Sequence, residues 1–462
     1  MLKLPMTLRK YVGPKEFIKK VMWIAVPLAL QQLLNSAMGV VDSIMVARIN
    51  QVTAVGTAAQ IEILMMTIGY GAAAGAGIYM AQFYGAKDHI NQRKSFGFGV
   101  MLISLISVAW MLAAYFFGSA LMRFYIKDTA VITASVSYLS IVLFSYLPGA
   151  LTMMFSFAYR SIQKTVVPMV VGIIAMLINV ILNYGLIFGN FGLPQLGIQG
   201  AAIATLIANL TGFLIHLVYA YASKQSFVGT LREMFYINKD MFDKMFRRTY
   251  PLIFNEFFFA IGGTLYIRAF GTLGTKAMDS YYVGTQIANV FMFVIMGINN
   301  ANSSMLGAEL GKGDLTEARK KGNYFIGLGF VLSLITSVII LSSARFLVGL
   351  FGLSDPEVIR GANLIVQVFS LRLSLRMFNV IIFSSLRAGG DSRFLAFLDA
   401  GILWMVGLPM AFILVGVFNI QNIALVFLLV QSEQLVRVVI GMKRFIQGSW
   451  LKNLTQEIAL EG

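Results

Sequence analysis

The segment Tyr84-Gly85-Ala86-Lys87-Asp88, followed by Arg93-Lys94, returns 226 residues later as Leu310-Gly311-Lys312-Gly313-Asp314, followed by Arg319-Lys320. Each copy is a short charged turn between two long apolar runs. Upstream, Ile24-Ala25-Val26-Pro27-Leu28-Ala29-Leu30 pairs with Arg248-Thr249-Tyr250-Pro251-Leu252-Ile253-Phe254 at an offset of 224. Between them, Val55-Gly56-Thr57-Ala58-Ala59-Gln60-Ile61 resembles Tyr282-Val283-Gly284-Thr285-Gln286-Ile287. Apolar sequences resemble one another by chance. A shared glycine, an acid and an Arg-Lys pair at one loop register do not follow from hydrophobicity, so the chain is read as a tandem repeat with the same polarity in both copies.

Outward from these turns stand windows of about 20 apolar residues, each able to cross about 30 Å of hydrocarbon as a helix. They fall near 21–47, 54–83, 96–122, 132–157, 166–189, 200–222, 247–271, 280–308, 323–348, 358–384, 394–416 and 421–443. Composition agrees: of 462 residues, 58% are apolar and 12% charged, against about 25% charged in a soluble domain. The fold class expected is therefore all-α integral membrane, with twelve transmembrane helices in two pseudo-symmetric six-helix bundles (parallel repeats). The first run is too long for a secretory leader, carries Asp42 and lacks a small-residue cleavage site, so it is read as a span. Cysteine is absent and only His89 and His216 occur, which argues against disulfides, thiolate zinc and iron–sulfur centres.

The formal charge of +16 is read as lysine and arginine kept on the cytoplasmic side, with no nucleic-acid partner. Lys15, Lys19 and Lys20, then Lys87, Arg93 and Lys94, Arg160 and Lys164, Arg247 and Arg248, Arg319 to Lys321, Arg387 and Arg393, and Lys443 and Arg444 alternate onto one side of a twelve-span arrangement. The opposite loops hold few cations. The protein is thus expected to be multi-pass in the plasma (inner) membrane with N- and C-termini cytoplasmic. Residues 1–222 would form an N-terminal lobe, 223–246 a cytoplasmic linker, and 247–462 a C-terminal lobe with its tail. Two such bundles suit a transporter that rocks about a central cleft. A channel would more often show a short repeated filter, and an enzyme a Gly-x-Ser-x-Gly elbow or Walker loop; none is found.

Over its whole length the chain resembles the multidrug and toxic compound extrusion (MATE) family. The residues that carry the resemblance are Pro27 with Gly39-x-x-Asp42-Ser43, the Gly85-x-x-Asp88 turn and its second copy, and Asn179-x-x-x-Asn183-Tyr184. Gly197-x-x-Gly200-Ala201-Ala202-x-Ala204-Thr205 and Leu386-Arg387-x-x-Gly390-Asp391 complete the set. The resemblance implies efflux of small organic, mostly cationic compounds in exchange for H+ or Na+, with no other cofactor. It implies an N-lobe ion site at Asp42, Asn179, Asn183 and Thr205. Some family members carry Asp where this chain has Asn183, so one carboxylate is missing and the ion is left open. A lipid-linked saccharide flippase of the same superfamily is the alternative, though such proteins often have extra spans or a strongly cationic centre.

A carboxylate in hydrocarbon is costly, so Asp42 is a functional residue by default. Helical spacing places Gln31, Asn35 and Asp42 on one face of span 1, and pairs Asn179 with Asn183 and Thr205 with Asn209. Three polar faces meeting would give an oxygen-rich pocket for Na+ or for a protonated carboxyl. The alternative is that Asp42 only cross-links helices. In the C-lobe, Glu256, Asp399, Arg372 and Arg376 lie at similar depth and are expected to form one buried network, because an unpaired charge there would be prohibitive. Gln31, Asn35, Gln60, Glu62, Asn209 and Gln286 are candidates for cavity lining, while Glu433 and Arg437 read as a helix salt bridge. Pro27 and Pro251 each remove a backbone hydrogen bond and are expected to let the first helix of each lobe bend. The abundant Met and Phe (26 and 37) suit adaptable, cation–π contact with flat organic cations. The chain is expected to act as a monomer in a lipid bilayer, with no bound metal beyond Na+ at Asp42.

Overall fold

A computed structural model describes residues 9–125 and 128–459, apart from the side chains at positions 35, 37, 40 and 459. Among the described residues there is no strand. Eleven helices are long and apolar enough to cross a membrane, and a bent pair makes a twelfth. The protein is a multi-pass membrane protein. In order the helices are α1 (Lys15–Ala47), α2 (Val52–Gly85), α3 (His89–Tyr125) and α4 (Thr129–Ser161). There follow α5 (Val166–Phe188), α6 (Ile198–Ala222) and α7 (Lys239–Gly271). The bent pair Thr275–Val290 with Met292–Gly311 is α8; then come α9 (Leu315–Gly349), α10 (Pro356–Ala388), α11 (Ser392–Gly416) and α12 (Ile423–Gln447).

The helices outrun the apolar windows because their ends are set by caps, not by the hydrocarbon. Asp88 accepts from the Asn91 amide at 3.0 Å and opens α3, and its repeat mate Asp314 accepts from the Glu317 amide at 2.9 Å and opens α9. The linker expected over 223–246 is shorter as a loop. Asn238 caps the first turn of α7 through the Met241 amide at 3.1 Å, so the helix already runs from Lys239. The linker also folds one turn of its own, Leu231–Phe235, closed by a Thr230/Glu233 capping box. Arg93 docks this turn on α3 at 3.2 Å, and the Thr230 amide together with Arg93 holds the Glu233 carboxyl below its usual range.

Four spans are interrupted where hydropathy shows nothing. In α4 a 3-10 turn at Leu143–Ser145 precedes Pro148, which has no amide hydrogen for the α ladder. In α8 the ladder tightens at Phe291, whose amide bonds to Ala288 three residues back, and the axis bends by 45°. In α12, the ladder tightens at Gln431, whose backbone amide donates to the Leu428 carbonyl at 3.0 Å and whose side-chain amide donates to the Phe427 carbonyl at 2.8 Å. In α11, two π-helical segments, Phe397–Gly401 and Leu403–Gly407, follow one another.

The chain divides into two compact units, Leu30–Ile253 and the residues up to Ala29 together with Phe254 onward. Each border falls two residues beyond a proline, Pro27 in α1 and Pro251 in α7. The proline-bearing helices are therefore shared: the first half of α1 packs with the C-terminal unit and the first half of α7 with the N-terminal one. The receiving helices make room with glycine. A Cβ on Gly71 of α2 would lie 2.7 Å from Cα of Ile253, and one on Gly297 of α8 would lie 2.7 Å from the Ala25 carbonyl oxygen. Only a residue without a Cβ lets the backbones approach this closely.

Candidate functional site

Within the N-terminal unit the polar faces expected on α1 and α5 touch through a hydrogen bond, and Thr205 of α6 lies against Tyr138. Asn179 and Asn183 are fully buried, one turn apart on α5. The Asn183 amide uses both hydrogens: one goes to Asp42 Oδ1 at 2.7 Å, the other to Asn179 Oδ1 at 2.9 Å. A single side chain thus ties α1 to α5 through a charge-assisted bond. No basic group pairs with Asp42 among the described residues, and its second oxygen, Asn183 Oδ1 and Asn179 Nδ2 have no protein partner. Thr205 of α6 donates to the Ala201 carbonyl at 3.0 Å.

Two tyrosines that the sequence did not single out complete the cluster. Tyr138 stands against Thr205 with Glu62 and Asp42 beside it, and Tyr146 lies next to Glu62 with its hydroxyl buried and without a hydrogen bond. In an apolar span a tyrosine reads as packing, so no sequence signal marks them. Glu62 of α2 is half-buried and makes neither a hydrogen bond nor an ion pair among the described residues. Gln31 turns aside: its amide donates to the Pro168 carbonyl at 3.3 Å. Asn209 packs over Gly149, Gln60 and Gln286 are exposed at matching places in the two halves, and the side chain of Asn35 lies outside the described residues.

The C-terminal unit contains a longer polar chain than the four residues expected. Asp399, in the first π segment of α11, lies 3.5 Å from Arg437 of α12 and 4.0 Å from Arg376 of α10. Arg437 is fully buried, donates to the Asp399 carbonyl at 2.9 Å, and reaches Glu433 at 3.6 Å. Glu433 accepts from Tyr266 at 2.7 Å and from Gln434 at 2.9 Å. Asn255 of α7 accepts from the Ala400 amide at 3.1 Å and donates to Asp399 at 3.3 Å, so it takes up a backbone donor within the π segment. The Tyr266–Glu433 bond crosses the bare face of Gly407, in the second π segment. Such segments recur at functional sites.

Two expectations for this network change, and one is extended. The helix salt bridge between Glu433 and Arg437 forms at 3.6 Å, and Arg437 is in addition the central cation of the network because it also lies against Asp399. Arg372 joins no carboxylate among the described residues; its guanidinium lies over the rings of Phe369 and Phe427 at 5.3 and 5.6 Å. Glu256 forms no ion pair within 4 Å among the described residues and stands beside Asn255, nearest in charge to Arg387.

Both halves match one family model, described as MatE, over residues 27–185 and 251–413, each match beginning at the paired proline. The chain belongs to the MatE family. Among curated relatives of this MATE chain, the uncharacterized transporter YisQ of Bacillus subtilis (strain 168) is 26% identical over 433 residues, covering 92% of this chain and 93% of that one. The probable multidrug resistance protein NorM of Thermotoga maritima is 23% identical over 459 residues, covering 96% and 97%. The crystal structure of the Vibrio cholerae MATE transporter VcmN in the bent form superposes with a TM-score of 0.84 at 17% identity, over 95% of this chain and 99% of that one. The two-lobe, twelve-span MATE fold expected from the repeat is thus the fold of this chain.

Proposed function

We propose that the protein exports small organic, mostly cationic compounds by secondary antiport against H+ or Na+, alternating access between its two lobes. The observation that carries this reading is Asp42: a carboxylate held by one amide at 2.7 Å, with no basic partner among the described residues and free acceptors around it. A cation or a proton can occupy such a group reversibly, whereas a fixed salt bridge could not release it. The multidrug-resistance name of the relative from Thermotoga maritima supports the export reading. Loading Asp42 would weaken its bond to Asn183 and free the outer half of α1 to flex at Pro27, where the helix lacks a ladder bond. The chain is proposed to work as a monomer in the inner membrane, both termini cytoplasmic, as the distribution of Lys and Arg indicates.

The test is dye transport by purified protein in liposomes under an imposed pH gradient and, separately, an imposed sodium gradient. One gradient is expected to drive uptake of an organic cation by the wild type and to fail with Asp42→Asn. Equal gradient-driven transport by Asp42→Asn removes Asp42 from coupling, and an absence of transport under either gradient removes the antiport reading.

A further inference from the structure

We propose that the C-terminal unit contains a binding site for an oxyanion carried on an aromatic body, formed by Arg372 and Arg376 of α10 with Tyr281 of α8. The ligand group is a carboxylate, sulfonate or phosphate. This goes beyond cation export, and its test does not depend on that reading.

The argument begins with the carboxylates inside this unit. Arg437 already lies against both Asp399 and Glu433, at 3.5 and 3.6 Å. Glu433 accepts further from Tyr266 and Gln434, and Asp399 Oδ2 from Asn255, while Asp399 Oδ1 has no hydrogen bond among the described residues. Glu256 stands with Asn255 and Arg387. On α10, Arg376 lies 4.0 Å from Asp399 and within electrostatic reach of Glu256 and Glu433, whereas Arg372 forms no ion pair among the described residues. Arg372 therefore stands one helical turn from a second guanidinium without a carboxylate of its own among the described residues. Like charges so placed in a membrane-embedded lobe attract an anion.

Their geometry fits that role. A guanidinium has five N–H donors, and among the described residues neither Arg372 nor Arg376 donates a single hydrogen bond. Both guanidiniums instead lie over aromatic rings: Arg372 over Phe369 and Phe427, and Arg376 over Phe259 at 5.7 Å. A ring contact consumes no N–H donor, so the edge that grips a planar or tetrahedral oxyanion in two-pronged fashion stays available. Both arginines keep part of their surface exposed. Tyr281, beside Arg372, packs its ring on Phe427 at 5.7 Å and its hydroxyl makes no hydrogen bond among the described residues. It adds a neutral donor to the cradle, and the surrounding phenylalanine rings supply a wall for an aromatic body.

Isothermal titration of the purified full chain in detergent tests this with naphthalene-2-sulfonate against its neutral isostere naphthalene-2-sulfonamide. The wild type is expected to bind the sulfonate at least tenfold more tightly, and Arg372→Gln to lose most of that preference. Inorganic phosphate and dihexanoyl phosphatidic acid in parallel titrations separate a free oxyanion from a lipid headgroup as the source: whichever binds in an Arg372-dependent way names it. Equal affinity for sulfonate and sulfonamide overturns the proposal, as does a preference unchanged in a folded Arg372→Gln. Should that variant fail to fold, Arg372→Lys and Tyr281→Phe replace it. Each is expected to weaken sulfonate binding at least threefold without affecting the sulfonamide, and unaltered binding in both overturns the site. Failure here leaves cation export standing, since that is read from transport by Asp42 variants.

Discussion

The bond between Asn183 and Asp42 can be weighed by a double-mutant cycle of Asp42→Ala and Asn183→Ala. Its length, 2.7 Å, and its acceptor mark it as charge-assisted while Asp42 is ionised. A hydrogen bond to a charged group contributes about 1.5–3 kcal/mol, whereas interhelical bonds between neutral groups in membranes average about 0.6 kcal/mol. The coupling energy between positions 42 and 183 is therefore expected near the upper range when the carboxyl is ionised and near the lower one when it is protonated. The sign follows: coupling is full at pH above the titration of Asp42 and falls as acidification passes through it. The second bond of Asn183, to Asn179 at 2.9 Å, is lost equally in Asn183→Ala and in the double variant, so it cancels from the cycle. The assay is unfolding of the purified protein in mixed micelles by titrated dodecyl sulfate, for the four forms at two pH values. Coupling below about 0.5 kcal/mol at both pH values, or coupling that grows on acidification, would refute the picture of Asn183 as the clamp on an ionised Asp42.

Two further variants probe the scaffold. Gly297→Val places a side chain 2.7 Å from the Ala25 carbonyl, a backbone atom that cannot step aside. A loss of about 1–3 kcal/mol is expected from such overpacking, and Gly263→Ala, with open space around its Cβ, is the control that should leave the thermal midpoint in place. Arg437→Met removes the shared partner of Asp399 and Glu433 and is expected to cost about 3–5 kcal/mol. Adding Asp399→Asn to it should recover part of the loss in the same thermal scan; no recovery would mean that Arg437 acts through packing alone.

Much of the candidate site was legible because polar residues are rare in these spans. Asp42, Asn179, Asn183 and Thr205 stand out against apolar neighbours, and helical spacing alone assigns them to shared faces. The C-lobe was legible in its ingredients but not in its pairing. Arg372 and Arg376 share a face of α10, yet only Arg376 comes near Asp399, and the fully buried Arg437 takes the central place. Spacing fails there because it assigns a residue to a face of its own helix and not to a partner: Arg437 lies on α12, and no count along α10 shows that it reaches Asp399 first. Tyr138, Tyr146 and Tyr266 were invisible for a different reason, since a tyrosine in an apolar helix carries the same hydropathy whether its hydroxyl meets a carboxylate or lipid.

Hydropathy and internal repetition accumulate residue by residue along the chain, and they alone determined twelve membrane-crossing helices in two parallel copies. Which side chain meets which depends on how each helix is rotated and where it breaks, and a turn of one residue swings a side chain by about 100°. Tertiary structure therefore decided that Asn183 holds Asp42, that Arg437 stands between two acids, and that the units divide just past Pro27 and Pro251 inside helices α1 and α7. Glycine notches opposite those helices allow the close packing, and that complementarity exists only once both surfaces are folded.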